Sequence, residues 1–168
     1  MSAPAAPLHS AAPSPGWDGA LAAEVIAAHS RLDGACLPIL HALQEEFGCI
    51  PPEAVPMVAE ALNISRAEVH GVVTFYHDFR ATPPGRHVLK LCRAEACQAM
   101  GVDRLSAGLL TRLAIDWGGT TADGSLTVEP AFCLGLCACA PAALLDGDPL
   151  GRLDEAALDE VAREARRA

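Results

Sequence analysis

Seven cysteines are spread over 168 residues, and four of them fall into two short pairs. Cys92 and Cys97, in CRAEACQAMG, are separated by four residues, and Cys133 and Cys137, in FCLGLCACAP, by three. Thiolates ligate both zinc and iron–sulfur clusters. Structural zinc sites usually use a tight C-x2-C knuckle that sets both sulfurs on one ion. The wider gaps here let each loop curve around a larger object, two irons bridged by two sulfides. Ala96, Gly101, Gly135, Ala138 and Ala140 leave room for backbone N–H groups to approach sulfur, and such hydrogen bonds help set a cluster's reduction potential. A cluster of this kind is anionic; Arg93 and Lys90, the only lysine, sit beside the first pair, where they either are simply solvent-exposed or offset part of that charge. A zinc-binding structural or regulatory domain is the rival chemistry. A dithiol redox enzyme ranks last, because it wants C-x-x-C after its first strand.

Two loops can share one object only if the fold brings them to the same place. HVLKLC reads as a strand ending on Cys92, and SLTVEPAFC as a second strand ending on Cys133. Neighbouring strands would carry both loops to one end of a sheet, where four thiolates converge. Between them, Asp103 is expected to cap a helix with Leu105, Leu109, Leu110 and Leu113 on its apolar face. AALLDGDPLGRL reads as a hairpin turning at Asp146-Gly147. Asp154 caps a last helix, with Leu153 and Leu158 as a hydrophobic staple. The order β-α-β-β-α is that of a compact α/β domain with a small mixed sheet, over 87–168.

The first half has a different rhythm. Residues 1–17 are rich in Ala, Pro and Ser and read as a flexible tail. Four helices are expected over 18–80. The first is capped by Asp18, reaches about Leu32 and turns Leu21, Val25, Ala28 and Leu32 to one face. The second spans 35–47 and stops at Gly48. The third is opened by Pro51 and Pro52. The fourth starts at Ser65-Arg66-Ala67-Glu68, a capping box, and runs on through Val69, Val72 and Val73. Residues 81–86, with two prolines and a glycine, form the linker. The fold class is thus α+β, an N-terminal helical bundle followed by an α/β domain.

Charge and hydropathy exclude several function classes. A net charge of −9 opposes nucleic acid and anionic membrane surfaces. No run of 18 apolar residues offers a membrane span. The N-terminus has neither the basic and apolar regions of a secretory signal nor the arginines of a transit peptide. Unpaired in number and without such a signal, the cysteines point to the bacterial cytoplasm and to metal or redox work. No Gly-rich dinucleotide fingerprint is present, so NAD and flavin are expected to bind elsewhere.

The spacing C-x4-C, 35 residues, C-x3-C, followed by Ala140-Pro141, resembles the thioredoxin-like [2Fe–2S] ferredoxins. These are small iron–sulfur subunits of the NADH-dehydrogenase modules of complex I, of NAD-linked hydrogenases and of NAD-dependent formate dehydrogenases. The upstream half is similar too: GCIPPEAVPMVAEALNISRAEVHGVVTFYHDFR carries the Thr74-Phe75-Tyr76 signature. The resemblance covers roughly Leu37 to the C-terminus. It implies a thioredoxin-like fold for 87–168 and one [2Fe–2S] cluster on Cys92, Cys97, Cys133 and Cys137. It also implies a one-electron carrier without catalysis of its own. FMN, NAD and a molybdenum cofactor would belong to partner subunits. Within the family, GVVTFYHDFR, CRAEACQAMG and CLGLCACAP most resemble the γ subunit of soluble NAD-dependent formate dehydrogenase. The equivalent subunit of complex I or of an NAD-linked hydrogenase is the alternative.

Other residues have plainer readings. Cys139 departs from the family pattern and is expected to be a buried small hydrophobe rather than a ligand. Cys36 and Cys49 are expected to be ordinary thiols of the helical half. His70 and His77, seven apart, share a face if the fourth helix continues, without the further ligands a metal would need. His87 is expected to face solvent. Phe75, Tyr76 and Phe79 either seal the helical half or form a docking surface for a partner.

Overall fold

The computed structural model describes residues 16–167, so most of the expected flexible tail, 1–15, lies outside the described residues. The chain divides into two compact units, one ending at Pro83 and one beginning at Pro84.

The first unit holds four helices, α1 (Gly19–His29), α2 (Cys36–Phe47), α3 (Ala54–Leu62) and α4 (Arg66–Phe75). Asp18 caps α1 by accepting from the N–H groups of Ala20 and Leu21 at 2.9 and 3.2 Å. Helix α1 ends at His29, short of Leu32, which is half exposed. Its buried face is Ala22 and Ile26 rather than the expected Leu21-Val25-Ala28-Leu32 stripe. A helix that is alanine and aliphatic on most sides has no periodicity to mark which side will be covered. Trp17, assigned to the tail, packs on Phe47 with ring centroids 5.3 Å apart. Gly48 ends α2 at φ 74°, a conformation that favours glycine. Pro51 and Pro52 precede a turn, closed by the Ala54 N–H to the Pro51 carbonyl, and α3 begins only after it. Both arms of the Ser65–Glu68 capping box are present on α4.

Helix α4 ends at Phe75 because Tyr76 turns extended. His77 therefore leaves the helix and does not share a face with His70. The departure lets Phe79 enter the core beside His41, with ring centroids 5.0 Å apart. Gln44 holds the departing strand of chain from both sides. Its amide donates to the Asp78 carbonyl at 2.8 Å, and its oxygen accepts from the Arg80 N–H at 2.7 Å. Ile39, Leu40, Leu43, Val58 and Val69 complete the buried centre.

The second unit runs β1 (His87–Cys92), α5 (Glu95–Ala99), α6 (Val102–Leu113), β2 (Leu126–Ala131), β3 (Ala143–Leu145), β4 (Asp148–Leu150) and α7 (Glu155–Arg167). The sheet is mixed, in the order β2-β1-β3-β4. Strands β1 and β2 are parallel, with Cys92 opposite Ala131, whereas β3 is antiparallel to β1, with Ala143 opposite Leu91. Leu89, Leu91, Leu126 and Val128 pack with Leu109 of α6 and with Leu158 and Val161 of α7. Helix α6 begins one residue before Asp103, behind Gly101 at φ 86° and with no side-chain cap, so Asp103 lies in its first turn instead. At the other end of the unit, Asp154 caps α7 through the Ala157 N–H at 2.8 Å.

The hairpin turn at Asp146-Gly147 is fastened to the start of β1. The Asp146 carboxylate accepts from the Val88 N–H at 2.7 Å and meets Nδ1 of His87 at 2.6 Å, so His87 is paired rather than simply solvated. Burial raises the Asp146 carboxyl, but the bonds to His87 and Val88 outweigh it and hold the group below its ordinary 3.8. A depressed folded pKa gives stability that is present above pH 3.8 and is lost as pH falls through the lower folded value. Asp146→Asn is therefore expected to be less stable than the parent at neutral pH, with the gap closing below pH 3.8. Urea midpoints measured across pH check this.

Candidate functional site

Parallel pairing of β1 and β2 sends both cysteine loops out of the same end of the sheet. Cys92 is the last residue of β1, and Cys97 lies in α5, a short helix unforeseen within the first C-x4-C loop. Both are buried, 3% and 2% exposed. Cys133 follows β2 by two residues, and Cys137 opens a turn of 3-10 helix, Cys137–Cys139. Both of these are exposed. The side chains of Cys92 and Cys97 are within hydrogen-bonding reach of each other, as are those of Cys133 and Cys137. Across the pairs, Cys137 lies close enough to Cys92 and Cys97 for their charges to interact. The four sequence-predicted residues are thus brought together as two pairs, one inner and one outer.

The backbone around them is shaped for sulfur. Cys133 takes φ 84°, uncommon for a residue with a side chain, and Gly135 takes φ 76°. The turn between them aims the Gly135 N–H at Cys133 Sγ, 3.5 Å away. Burial pushes the Cys92 thiol up, but the N–H groups of Ala94, Leu134 and Cys133, with the Cys97 side chain, overcome it and lower its pKa. Cys97 is raised, chiefly by burial, although the Ala142 N–H works the other way. Cys137 is raised by sharing a hydrogen bond with Cys133 and by the Cys133 charge. The inner pair packs with Val102 and Ala142, and Ala94, Leu134, Leu136 and Ala140 close around them. Four soft donors in an apolar pocket served by backbone N–H groups fit a [2Fe–2S] cluster. Among the described residues, no three His, Cys, Asp or Glu side chains are gathered tightly enough to hold one metal ion.

The remaining candidates are placed elsewhere. Arg93 lies 4.9 Å over the Trp117 ring and 3.7 Å from Asp103, while Lys90 is 3.9 Å from Glu129. The two cations beside the first pair therefore have partners of their own. Cys139, expected to be buried, is half-buried, with its Cβ against Gly151. Cys49 is buried and Cys36 half-buried, and burial raises both thiols. Phe75 and Tyr76 are 73% and 42% exposed and meet edge to face, so only Phe79 of the three aromatics seals the helical core.

The model of the thioredoxin-like [2Fe–2S] ferredoxins matches residues 22–166. The chain belongs to that family. Its cofactor is a [2Fe–2S] cluster and its chemistry is electron transfer. Among similar curated proteins, an NADH-quinone oxidoreductase subunit of Pseudomonas aeruginosa is 37% identical over 117 residues, 70% of each chain. The corresponding NADH-quinone oxidoreductase subunit of Escherichia coli K12 is 35% identical over 127 residues, 76% of each chain. NADP-reducing hydrogenase subunit HndA of Solidesulfovibrio fructosivorans is 30% identical over 132 residues, 79% of this ferredoxin and 77% of that protein. A crystal structure of air-oxidised NAD+-reducing [NiFe]-hydrogenase superposes with a TM-score of 0.62 at 32% identity. That match covers 76% of this ferredoxin but only 22% of the hydrogenase chain.

Sequence reasoning missed the residues that support the pairs, namely Ala94, Leu134 and Ala142. Their contribution is a backbone N–H, which every residue but proline possesses, so no residue type announces it.

Proposed function

We propose that this ferredoxin is the [2Fe–2S] subunit of a soluble NAD-dependent oxidoreductase of the bacterial cytoplasm. Its ligands are Cys92, Cys97, Cys133 and Cys137. The parent complex is the molybdenum-containing formate dehydrogenase, in which this chain is the γ subunit. The observation that carries the ligand assignment is the convergence of two cysteine pairs at one end of parallel β1 and β2. The formate assignment is supported by the local resemblance of GVVTFYHDFR, CRAEACQAMG and CLGLCACAP. The NADH-quinone oxidoreductase and NAD(P)-linked hydrogenase subunits among the relatives support a partner that carries flavin and NAD.

A [2Fe–2S] cluster supplies one-electron storage, which lets a flavin nearby trade the paired electrons of a hydride for single ones. The residues here hold the exchange at an edge. Cys92 and Cys97 keep the inner side dry, and the exposed Cys133 and Cys137 lie on the side that a partner can approach. Phe132, exposed beside Cys133, extends that side with apolar surface. No helix among the described residues is long and apolar enough to cross a membrane.

The test is purification of the native complex under mild conditions, with identification of its subunits and assay of iron, sulfide, flavin, molybdenum and zinc. Formate-dependent NAD reduction with molybdenum in a partner is the expected result. Co-purification with quinone-reducing or nickel-bearing partners would transfer the chain to complex I or to a hydrogenase. A colourless, zinc-bearing chain would overturn the cluster itself. On the helical unit, Tyr76→Ala is expected to weaken co-purification with the partners severalfold, because it removes an exposed aromatic surface next to Phe75. Unchanged recovery of partners would show that this surface is not an interface.

A further inference from the structure

The segment Cys137–Ala142 serves three of the four cysteines, and it is itself held from one side by the junction between β4 and α7. Cys137 opens the segment. At its far end the Ala142 carbonyl accepts from the Cys92 N–H at 3.0 Å, while the Ala142 N–H is directed to the Cys97 sulfur. Two bonds from the junction pin what lies between. The Arg152 N–H donates to the Cys139 carbonyl at 2.6 Å, and the Leu153 N–H to the Pro141 carbonyl at 3.0 Å. The junction can approach this closely because residue 151 has no side chain. A Cβ built on Gly151 would lie 2.7 Å from Cys139 Cβ and 3.0 Å from the Cys139 carbonyl oxygen. The first distance is one that real Cβ atoms essentially never show, and the atoms it meets are not the far end of a flexible chain. Something has to shift, and the atoms met belong to Cys139, in the turn that Cys137 opens.

We propose that Gly151, fourteen residues beyond the last ligand, is a positioning residue for the iron–sulfur site, acting through the Cys139 backbone to set where Cys137 stands. This rests on the four cysteines holding the cluster. Cys139 accordingly matters for its Cβ and its carbonyl, not for its sulfur. Ala142, the fully buried end of the segment, is packed with Cys92 and Cys97, and close packing there leaves little room to absorb a displacement. A shift of the 137–142 segment therefore reaches the N–H geometry at Cys92 and Cys97, which bears on the potential.

The test uses the full chain reconstituted with iron and sulfide. It compares the parent with Gly151→Ala, with Cys139→Gly, and with Gly151→Ala combined with either Cys139→Gly or Cys139→Ala. The readouts are iron and sulfide content, the g values of the reduced form and its midpoint potential. A purely structural role for Gly151 would change thermal stability and leave the g values and the midpoint where they are. The expected result is a shift of both in Gly151→Ala. The shift is reversed toward the Cys139→Gly values when Cys139→Gly is added, and it persists when Cys139→Ala, which keeps the offending Cβ, is added. Should Gly151→Ala assemble no cluster, recovery of iron on adding Cys139→Gly carries the same meaning, and failure to recover overturns the proposal. Unchanged g values and midpoint in Gly151→Ala also overturn it, as does equal rescue by Cys139→Ala. A parent chain that takes up no iron would instead overturn the ligand assignment, and the inference with it.

Discussion

Cys92→Ser and Cys97→Ser are each expected to yield a chain whose iron and labile sulfide fall to near background, with loss of the visible absorption and of the EPR signal after dithionite. Serine offers a hard, weakly acidic hydroxyl in place of a soft thiolate. At these two positions the loss is uncompensated. The residues are 3% and 2% exposed, and Val102 and Ala142 pack beside them, so solvent has little access to the vacated coordination position. Cys133 and Cys137 are exposed. Cys133→Ser and Cys137→Ser are therefore expected to keep a fraction of the iron, with altered g values, because water or the new hydroxyl can reach the metal. The contrast between inner and outer pairs is the informative part. Equal loss at all four positions would mean that burial does not govern the outcome. Cys139→Ser is expected to keep its iron, since Cys139 faces Gly151 and takes no part in the interactions among the other four. Loss of iron on that substitution would show that the fourth ligand has been misassigned.

Much of this arrangement can be read from residue order, and the parts that cannot share a physical cause. Strand β1 is readable because HVLKLC alternates, and Leu89 and Leu91 do face the core. The cysteine loops are readable because thiols are rare and their spacing is constrained by the object they hold. The Ser65 cap is readable because its side chain bonds its own backbone neighbours, and the Asp146-Gly147 turn because this residue pair tolerates the positive φ, 52° and 96°, that a tight hairpin needs. Helix α5 is not, because five residues carry too little periodicity to register. Nor is the end of α4, where burial of Phe79 and the grip of Gln44 decide the outcome from 34 to 36 residues away. The buried face of α1 escaped for want of polar residues to mark its outer side. Lys90 and Arg93 show the same limit for charge: adjacency in sequence places them beside Cys92, yet alternation along the strand and the partners Glu129, Asp103 and Trp117 turn them to other business. Gly151 carried a faint signal, an isolated glycine at the end of a strand, which marks close backbone approach without naming what approaches.

Leu43→Ala is expected to cost the helical unit about 2–5 kcal/mol, the range for emptying a fully buried leucine site, while leaving the g values of the reduced cluster unchanged. Leu43 is fully buried on α2, in the core that also holds Ile39, Leu40, Val58 and Val69. Helix α2 meets α1, α3 and α4, so the cavity opens at the centre of the bundle and no single neighbour can collapse to fill it. No residue beyond Phe79 belongs to that core, whereas the core of the second unit begins at Leu89. Leu91→Ala is the matched case. Leu91 is equally buried and directly precedes Cys92, and Ala143 lies opposite it on β3. It is expected to lose similar stability and in addition to move the g values, because β1 ends on Cys92 and Ala142 immediately precedes β3. Thermal unfolding by calorimetry measures the first effect, with roughly 4–8 °C expected per kcal/mol in a unit of this size, and EPR measures the second. Should Leu43→Ala disturb the spectrum as much as Leu91→Ala does, the two cores act as one, and placement of the cysteines has to be explained by the whole chain rather than by the sheet that carries them.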